Sequence, residues 1–170
     1  MIRVPLELGN PALRQPAAPV ADALAPDVQT LITDLRDTLG AWQAHNGWGR
    51  ALSAPIIGVP LRVALIAYGD VDLVLINPHW ERWSSRQCNG WESCICFPAL
   101  WGSVSRPESV VITALDAAGQ ARRLEATDDL ARILQHELDH LDGLVWLDRE
   151  PDLTTLCTTA EYRRRHKPQK

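Results

Sequence analysis

The sequence predicts an α+β domain, with antiparallel β-sheet packed on a helix. Short apolar segments rich in Val, Ile and Leu recur between residues 62 and 127, separated by turn-forming residues. A strongly periodic helix follows those segments, whereas an α/β chain would alternate them. The chain has 170 residues, 46% of them hydrophobic, which suits one domain with one core.

Residues 1 to 26 are proline-rich and irregular, and read as an arm lying on the domain with a turn at Asn10-Pro11. Val28, Leu31, Ile32, Leu35 and Leu39 then recur at helical spacing, which predicts a helix from about Asp27 to Gln43. "HNGWGRALSAPIIGVP" (45–60) is punctuated by glycine and proline and reads as a loop. "RVALIAY" (62–68) and "DLVLINP" (72–78) read as strands on either side of "GDV". "SVVITALD" (109–116) and "ARRLEAT" (121–127) read as a hairpin around "AAGQ". The last long helix is expected from about Asp128 to Leu141, with Thr127 or Asp128 as its N-cap and Gly143 just past its end. "LVWLD" (144–148) reads as one more short strand. A single folded domain is expected over residues 1–150, with 151–170 a polar C-terminal tail.

Net charge is −4, too mild to argue for nucleic acid or a membrane surface as partner. No stretch approaches the ~18 apolar residues that a spanning helix needs. The first residues lack a charged region followed by an apolar run, so a cytoplasmic location is expected. In that compartment Cys88, Cys94, Cys96 and Cys157 are expected as packed thiols, metal ligands or reactive groups, without a disulfide framework.

The chemistry gathers in "ILQHELDHLDG" (133–143). His136 and His140 are four apart and therefore share a helix face. Glu137 lies about 100° around the helix from His136, beside a metal but not necessarily on it. This H-E-x-x-H arrangement suits a metal-bound water with an adjacent carboxylate base. The competing reading is a solvated polar face. Leu130, Ile133, Leu134, Leu138 and Leu141 form an apolar stripe, so the helix is packed and its histidines need partners. Gln135 and Asp139 are candidates to orient them. A catalytic metal needs a third protein ligand and an open position. "WESCICFPAL" (91–100) offers a cysteine, but in an extended segment Cys94 and Cys96 point the same way, so spacing does not choose between them.

These segments resemble the peptide deformylase family, metal-dependent hydrolases that remove the formyl group from N-terminal formylmethionine. The family's Q-H-E-x-D-H-L-x-G is matched throughout from Gln135 to Gly143. Its E-G-C-L-S corresponds to "ESCIC", Glu92 to Cys96, and its G-x-G-x-A-A-x-Q to "GRALSAPI", Gly49 to Ile56. "GNPALR", "INP", "VSRPESVVITALDAAG" and "HLDGLVWLDR" extend the likeness over about residues 1 to 150. The resemblance implies an α+β fold, with antiparallel β-sheets packed around a central helix carrying the two histidines, and one divalent metal held by Cys94, His136 and His140. It points to iron(II), with zinc or nickel as substitutes. It further implies Glu137 as general base and the backbone N–H of Ile95 as an oxyanion donor. Gly49, Ala51, Glu92 and Arg106 are implied on the substrate side, with Arg106 supporting Glu92.

Several positions depart from the pattern. Ile56 replaces the glutamine whose side chain donates to the oxyanion, and losing one such donor typically costs ~10²–10³ in rate. Ala51 replaces the second glycine, with Ser53 nearby, and the second motif carries Ser93, Ile95 and Cys96. The expected substrate is a formyl-methionyl peptide. A small formylated metabolite and a non-hydrolytic formyl-peptide-binding module are the alternatives. Trp91 and Trp101 flank the cysteine motif and either line a side-chain pocket or fill the core. "YRRRHK" (162–167) is a candidate ribosome contact, against the alternative of a solvated tail. The protein is expected to be monomeric.

Overall fold

Helix α1 (Pro26–Asn46) starts on a proline, where the missing N–H leaves no bond unmade, and ends at Gly47 in the left-handed region, φ 72°. It buries Val28, Leu31, Ile32, Leu35 and Leu39, the face expected, and runs slightly past the predicted bounds at both ends. The computed structural model describes residues 1–149 and 151–166.

The strands that follow are β1 (Ala51–Ser53), β2 (Val63–Tyr68), β3 (Val71–Trp83), β4 (Gln87–Cys94), β5 (Phe97–Pro107), β6 (Ser109–Leu115), β7 (Ala121–Thr127) and, near the C-terminus, β8 (Asp152–Thr158). They form a five-stranded sheet in the order β1-β2-β3-β6-β7 and a three-stranded sheet in the order β4-β5-β8, with every strand pairing antiparallel. Helix α2 (Asp128–Leu141) packs against β1, β2 and β7 of the larger sheet and β5 of the smaller one. Leu134, Leu138 and Leu141 are fully buried in it, each stabilising the packing by about 1.5–3 kcal/mol. The expected architecture, antiparallel sheets around a helix bearing two histidines, is the observed one.

Five local differences have physical reasons. The loop expected over 45–60 contains β1 and a 3-10 turn, Ala54–Ile57. Three residues are too few to show a strand period, and pairing with β2 decides. Strand β3 continues through Pro78 to Trp83. A register shift between Ile76 and His79, with Asn77 at φ 49°, puts Pro78 in an irregularity where its missing N–H is tolerated. Strands β4 and β5 extend well beyond the extended segment around the cysteines. Residues 144–148, expected as a strand, lead into a 3-10 turn, Trp146–Arg149. There the Asp148 carboxylate accepts the Val145 N–H at 2.8 Å, and Trp146, fully buried, stacks on Phe97 at 5.4 Å. Residues after 150, expected as a polar tail, supply β8 and helix α3 (Thr159–Arg165). Lys167 of the 162–167 stretch, and the rest of the expected tail to 170, lie outside the described residues.

The proline-rich arm lies on the domain as expected, and its anchor points matter for the site. Leu6 N–H donates to the Ile56 carbonyl (2.7 Å), Leu8 N–H to that of Cys96 (2.9 Å), and Ala17 N–H to that of Leu141 (2.8 Å). One strap thus fastens the loop carrying Ile56, the cysteine turn and the end of α2. No helix among the described residues is long and apolar enough to cross a membrane.

Candidate metal centre and active-site cavity

Helical spacing stacks His136 and His140 on one face of α2, and a register shift between Glu92 and Cys94, at the end of β4, turns Cys94 towards them. Cys94 Sγ lies 3.2 Å from His140 Nε2, which lies 3.2 Å from His136 Nε2, and all three donor atoms are within 4.8 Å of one another. The other nitrogen of each ring is engaged. His140 Nδ1 is 3.0 Å from the Leu144 carbonyl, and His136 Nδ1 is 2.9 Å from Glu92 Oε2. Both partners are acceptors, so each Nδ1 carries the proton and each Nε2 presents a lone pair. Two imidazole lone pairs and a sulfur therefore converge in a buried space. Burial pushes the Cys94 thiol well up and the His140 imidazole well down, so without a cation the thiolate is disfavoured. One thiolate and two neutral imidazoles around a single point suit a divalent transition-metal ion. Cys94 lines the cavity; Cys96 does not, its sulfur lying 3.1 Å from that of Cys94.

The expectation that Gln135 and Asp139 orient the histidines is not met. Gln135 Nε2 donates to the carbonyls of Pro107 and Ala131, and Asp139 pairs with Arg106 and Arg149. Glu92 and the Leu144 carbonyl hold the rings instead. Glu92 is itself gripped by Arg106, through Nε (2.5 Å) and Nη2 (2.9 Å), and by Arg132 Nη1 (2.8 Å). Burial alone would push its carboxyl up, but hydrogen bonds from Arg106 and His136 outweigh this and hold it far below the usual carboxylate range. Arg106 also donates to Asp139 at 2.8 Å. Expected on the substrate side, Arg106 lies behind Glu92 and is not among the cavity's lining residues, because its guanidinium is consumed by two buried carboxylates. Arg132 was not singled out, although it stands four residues before His136 on the same face of α2.

The three donors open into a cavity of about 360 Å³. Glu137 and Ile95 line it, as do Gly49, Ala51, Glu92 and Ile56. Glu137 is buried, and its Oε2 has no hydrogen-bond partner among the described residues. Burial pushes its carboxyl up, against an opposing pull from His136. Ile56 is 1% exposed, so the wall is apolar where the resemblance implies an amide donor. The Ser93 hydroxyl, another departure from the motifs, lines the cavity and is buried without a partner among the described residues; that of Ser53, also a departure, lies beside Glu137 and opposes the upward push of burial on its carboxyl. Gly49 has φ 122°, and a Cβ there would come within 3.0 Å of the Trp42 ring, so the position demands glycine. The lining also includes Trp48, Trp91, Trp101 and Tyr162. Only the two tryptophans beside the cysteines were legible as pocket candidates; nothing in the sequence foretold that Tyr162 returns to this cavity.

Residues 4–155 match the family model described as polypeptide deformylase. The chain is similar to the peptide deformylase of Thermomicrobium roseum, 40% identical over 164 residues that cover 91% of this chain and 89% of that protein. It is similar to peptide deformylase 2 of Clostridium perfringens, 37% identical over 153 residues, covering 89% and 94% of the two chains. Among solved structures, the peptide deformylase of Legionella pneumophila superposes with a TM-score of 0.81 at 31% identity, covering 99% of this chain and 100% of that one.

Proposed function

The chain belongs to the polypeptide deformylase family and is a metal-dependent hydrolase, and from that premise we propose that it removes the N-formyl group from formyl-methionyl peptides. Cys94, His136 and His140 hold one divalent cation, and Glu137 moves the proton. The observation that carries this reading is the convergence of Cys94 Sγ and the two Nε2 atoms, with both Nδ1 atoms already engaged. A divalent ion held there supplies a Lewis acid and lowers the pKa of coordinated water towards ~7. Iron(II) is the ion the family resemblance favours; zinc and nickel suit the same donors.

The chain's own groups do the rest. Glu137 lines the cavity beside His136 with one carboxylate oxygen unpaired, so it can accept a proton from water and deliver it to the leaving amine. The Ile95 N–H donates to the oxyanion, a backbone role that survives the change of side chain. Ile56 contributes no donor, so the rate is lower than an amide at that position would give. Glu92 acts through His136, fixing its tautomer and ring orientation. Arg106 acts one step further back, holding Glu92. Gly49 and Ala51 line the wall that a bound peptide would pass.

The test loads purified protein with iron(II) under nitrogen, measures metal content, and follows release of formate from formyl-Met-Ala-Ser. Native protein should turn over, whereas Glu137→Ala should retain metal and lose activity. Equal inactivity of the two metal-loaded proteins would exclude peptide deformylation.

A further inference from the structure

Cys96 is a buried nucleophile that the chemistry above leaves idle, and it stands where the family motif has serine. Cys94 ends β4 and pairs with Phe97, the first residue of β5, so Ile95 and Cys96 form the turn between the two strands. Cys94 and Cys96 are 3% and 1% exposed, and their sulfurs lie 3.1 Å apart. The turn is held from two sides: the Cys96 carbonyl accepts the Leu8 N–H of the arm at 2.9 Å, and Phe97 stacks on Trp146. The other two cysteines are engaged elsewhere, Cys88 Sγ lying 3.6 Å from Arg132 Nη2 and Cys157 pairing with Trp101 across β5 and β8.

The two sulfurs face different spaces. Cys94 lines the metal cavity, whereas Cys96 lines a cleft of about 420 Å³ against the arm, with Val4, Leu8, Trp42, Phe97 and Pro98. The cleft opens to solvent past Val4, which is 87% exposed. An oxidant little larger than water therefore reaches Cys96 without entering the metal cavity. In a disulfide the sulfurs are ~2.0 Å apart, so from 3.1 Å the bond closes with about 1 Å of movement.

We propose that Cys94 and Cys96 form a peroxide-sensitive modification site, at which a reversible disulfide withdraws the sulfur from the metal donors. The Cys96 sulfur attacks hydrogen peroxide: an S–O bond forms, the O–O bond breaks, water leaves, and Cys96 becomes a sulfenic acid. The Cys94 sulfur then attacks that of Cys96: the S–S bond forms, the S–O bond breaks, and a second water leaves. Two thiols and one hydrogen peroxide thus become one disulfide and two waters, the sulfurs losing the two electrons that the peroxide gains. A bridged Cys94 has no thiolate to offer, and two imidazoles fall short of the three protein ligands a catalytic ion needs. A dithiol reverses the bond by exchange and is itself oxidised. The bridge stands on the sulfur geometry alone; its effect on the metal rests on the metal-centre reading above.

The test exposes protein loaded with zinc, an ion without redox chemistry, to hydrogen peroxide. Released zinc is followed with a chromophoric chelator. The protein is then quenched in acid, alkylated, and cut after Glu92 and Glu108 for mass analysis. Native protein should lose its zinc, and the fragment holding Cys94 and Cys96 should escape alkylation and be lighter than its reduced form by two hydrogens. Treatment with a dithiol, removed before reloading, should restore the full zinc content. Cys96→Ser should keep its zinc over the same interval. A native fragment alkylated at both cysteines overturns the proposal, as does zinc loss from Cys96→Ser as fast as from native protein. The native fragment decides the bridge even where the variant does not fold. Should native protein bind no zinc, the metal-centre reading fails, and the fragment from zinc-free protein treated with peroxide decides by itself: bridged, it supports the modification site; unbridged, it overturns it.

Discussion

Replacing Arg106 with methionine keeps a long side chain and removes the charge that joins two buried carboxylates. Arg106 is 2% exposed, as is Asp139, and Glu92 is 5% exposed. The substitution deletes two hydrogen bonds to Glu92 and one to Asp139. Removing one partner of a buried ion pair costs about 3–5 kcal/mol. Here the lower end applies, because Glu92 keeps Arg132 and His136 while Asp139 keeps Arg149. About 3 kcal/mol, over a urea slope of roughly 1–3 kcal/mol/M, lowers the unfolding midpoint by roughly 1–3 M. A second effect follows from position. Glu92 holds His136, so loosening Glu92 should weaken metal retention by about 10- to 100-fold, measured by competition with a chromophoric chelator. Arg106→Lys should rescue little, since a single ammonium cannot reproduce the two-pronged grip. A midpoint within ~0.3 M of native together with native metal retention would refute the reasoning, since the network would then neither stabilise the fold nor position the ligand.

Three further outcomes follow from the same geometry. Ile56→Gln should raise kcat/KM on formyl-Met peptides by tenfold or more, recovering part of the ~10²–10³ that one oxyanion donor contributes; little change or a loss would mean that the wall has been rebuilt for another substrate. Stripping the metal should lower stability by about 2.7 kcal/mol relative to protein at free metal 100 times its Kd, read as a thermal shift, and His136→Ala protein should not respond to the chelator. Glu161 is held at about 2 by Arg164 and Arg165, below the ~4.3 expected unfolded. Its contribution to α3 is therefore present above ~4.3 and lost as pH falls through about 2. The difference between native protein and Glu161→Gln in tryptophan emission of the α3 contact should close over that range; a gap constant from pH 6 to 2 would show that the pairs contribute nothing.

How much was legible in the sequence depended on whether a signal runs along the chain or across it. Helix α2 has the bounds expected, because its apolar stripe and Gly143 are local signals. So are the runs behind β2, β6 and β7. Strands β4 and β5 were mostly illegible. In β5, Gly102 stands where a Cβ would come within 3.0 Å of the Trp146 ring. Close packing against a distant residue selects glycine there, and glycine erases the strand signature. The metal donors were legible as residue types, but their supports were not. The Leu144 carbonyl that orients His140 is backbone, visible only once the path after Gly143 is known. The Arg106–Asp139 contact spans 33 residues, and the Thr159–Pro98 bond that helps fix α3 spans 61. Periodicity carries no information about such pairs.

Three acids are buried around α2, and their surroundings divide their work. Glu92, Asp139 and Glu137 are each no more than 5% exposed. Arg106 and Arg132 neutralise the first; Arg106 and Arg149 neutralise the second. No arginine pairs with Glu137 among the described residues, and its Oε2 has no hydrogen-bond partner. A buried carboxylate left unpaired is costly and tends to take up a proton. The fold supplies three guanidiniums to two of these acids and none to the third, one residue along from His136. That asymmetry suits a division in which the paired carboxylates hold the site rigid, while the unpaired one gains and loses a proton. Moving an arginine to Glu137 would stabilise its anion and remove the property the chemistry needs. The ion pairs behind the histidines thus do two things at once: they anchor His136, and they leave Glu137 as the one acid of the three that no arginine neutralises among the described residues.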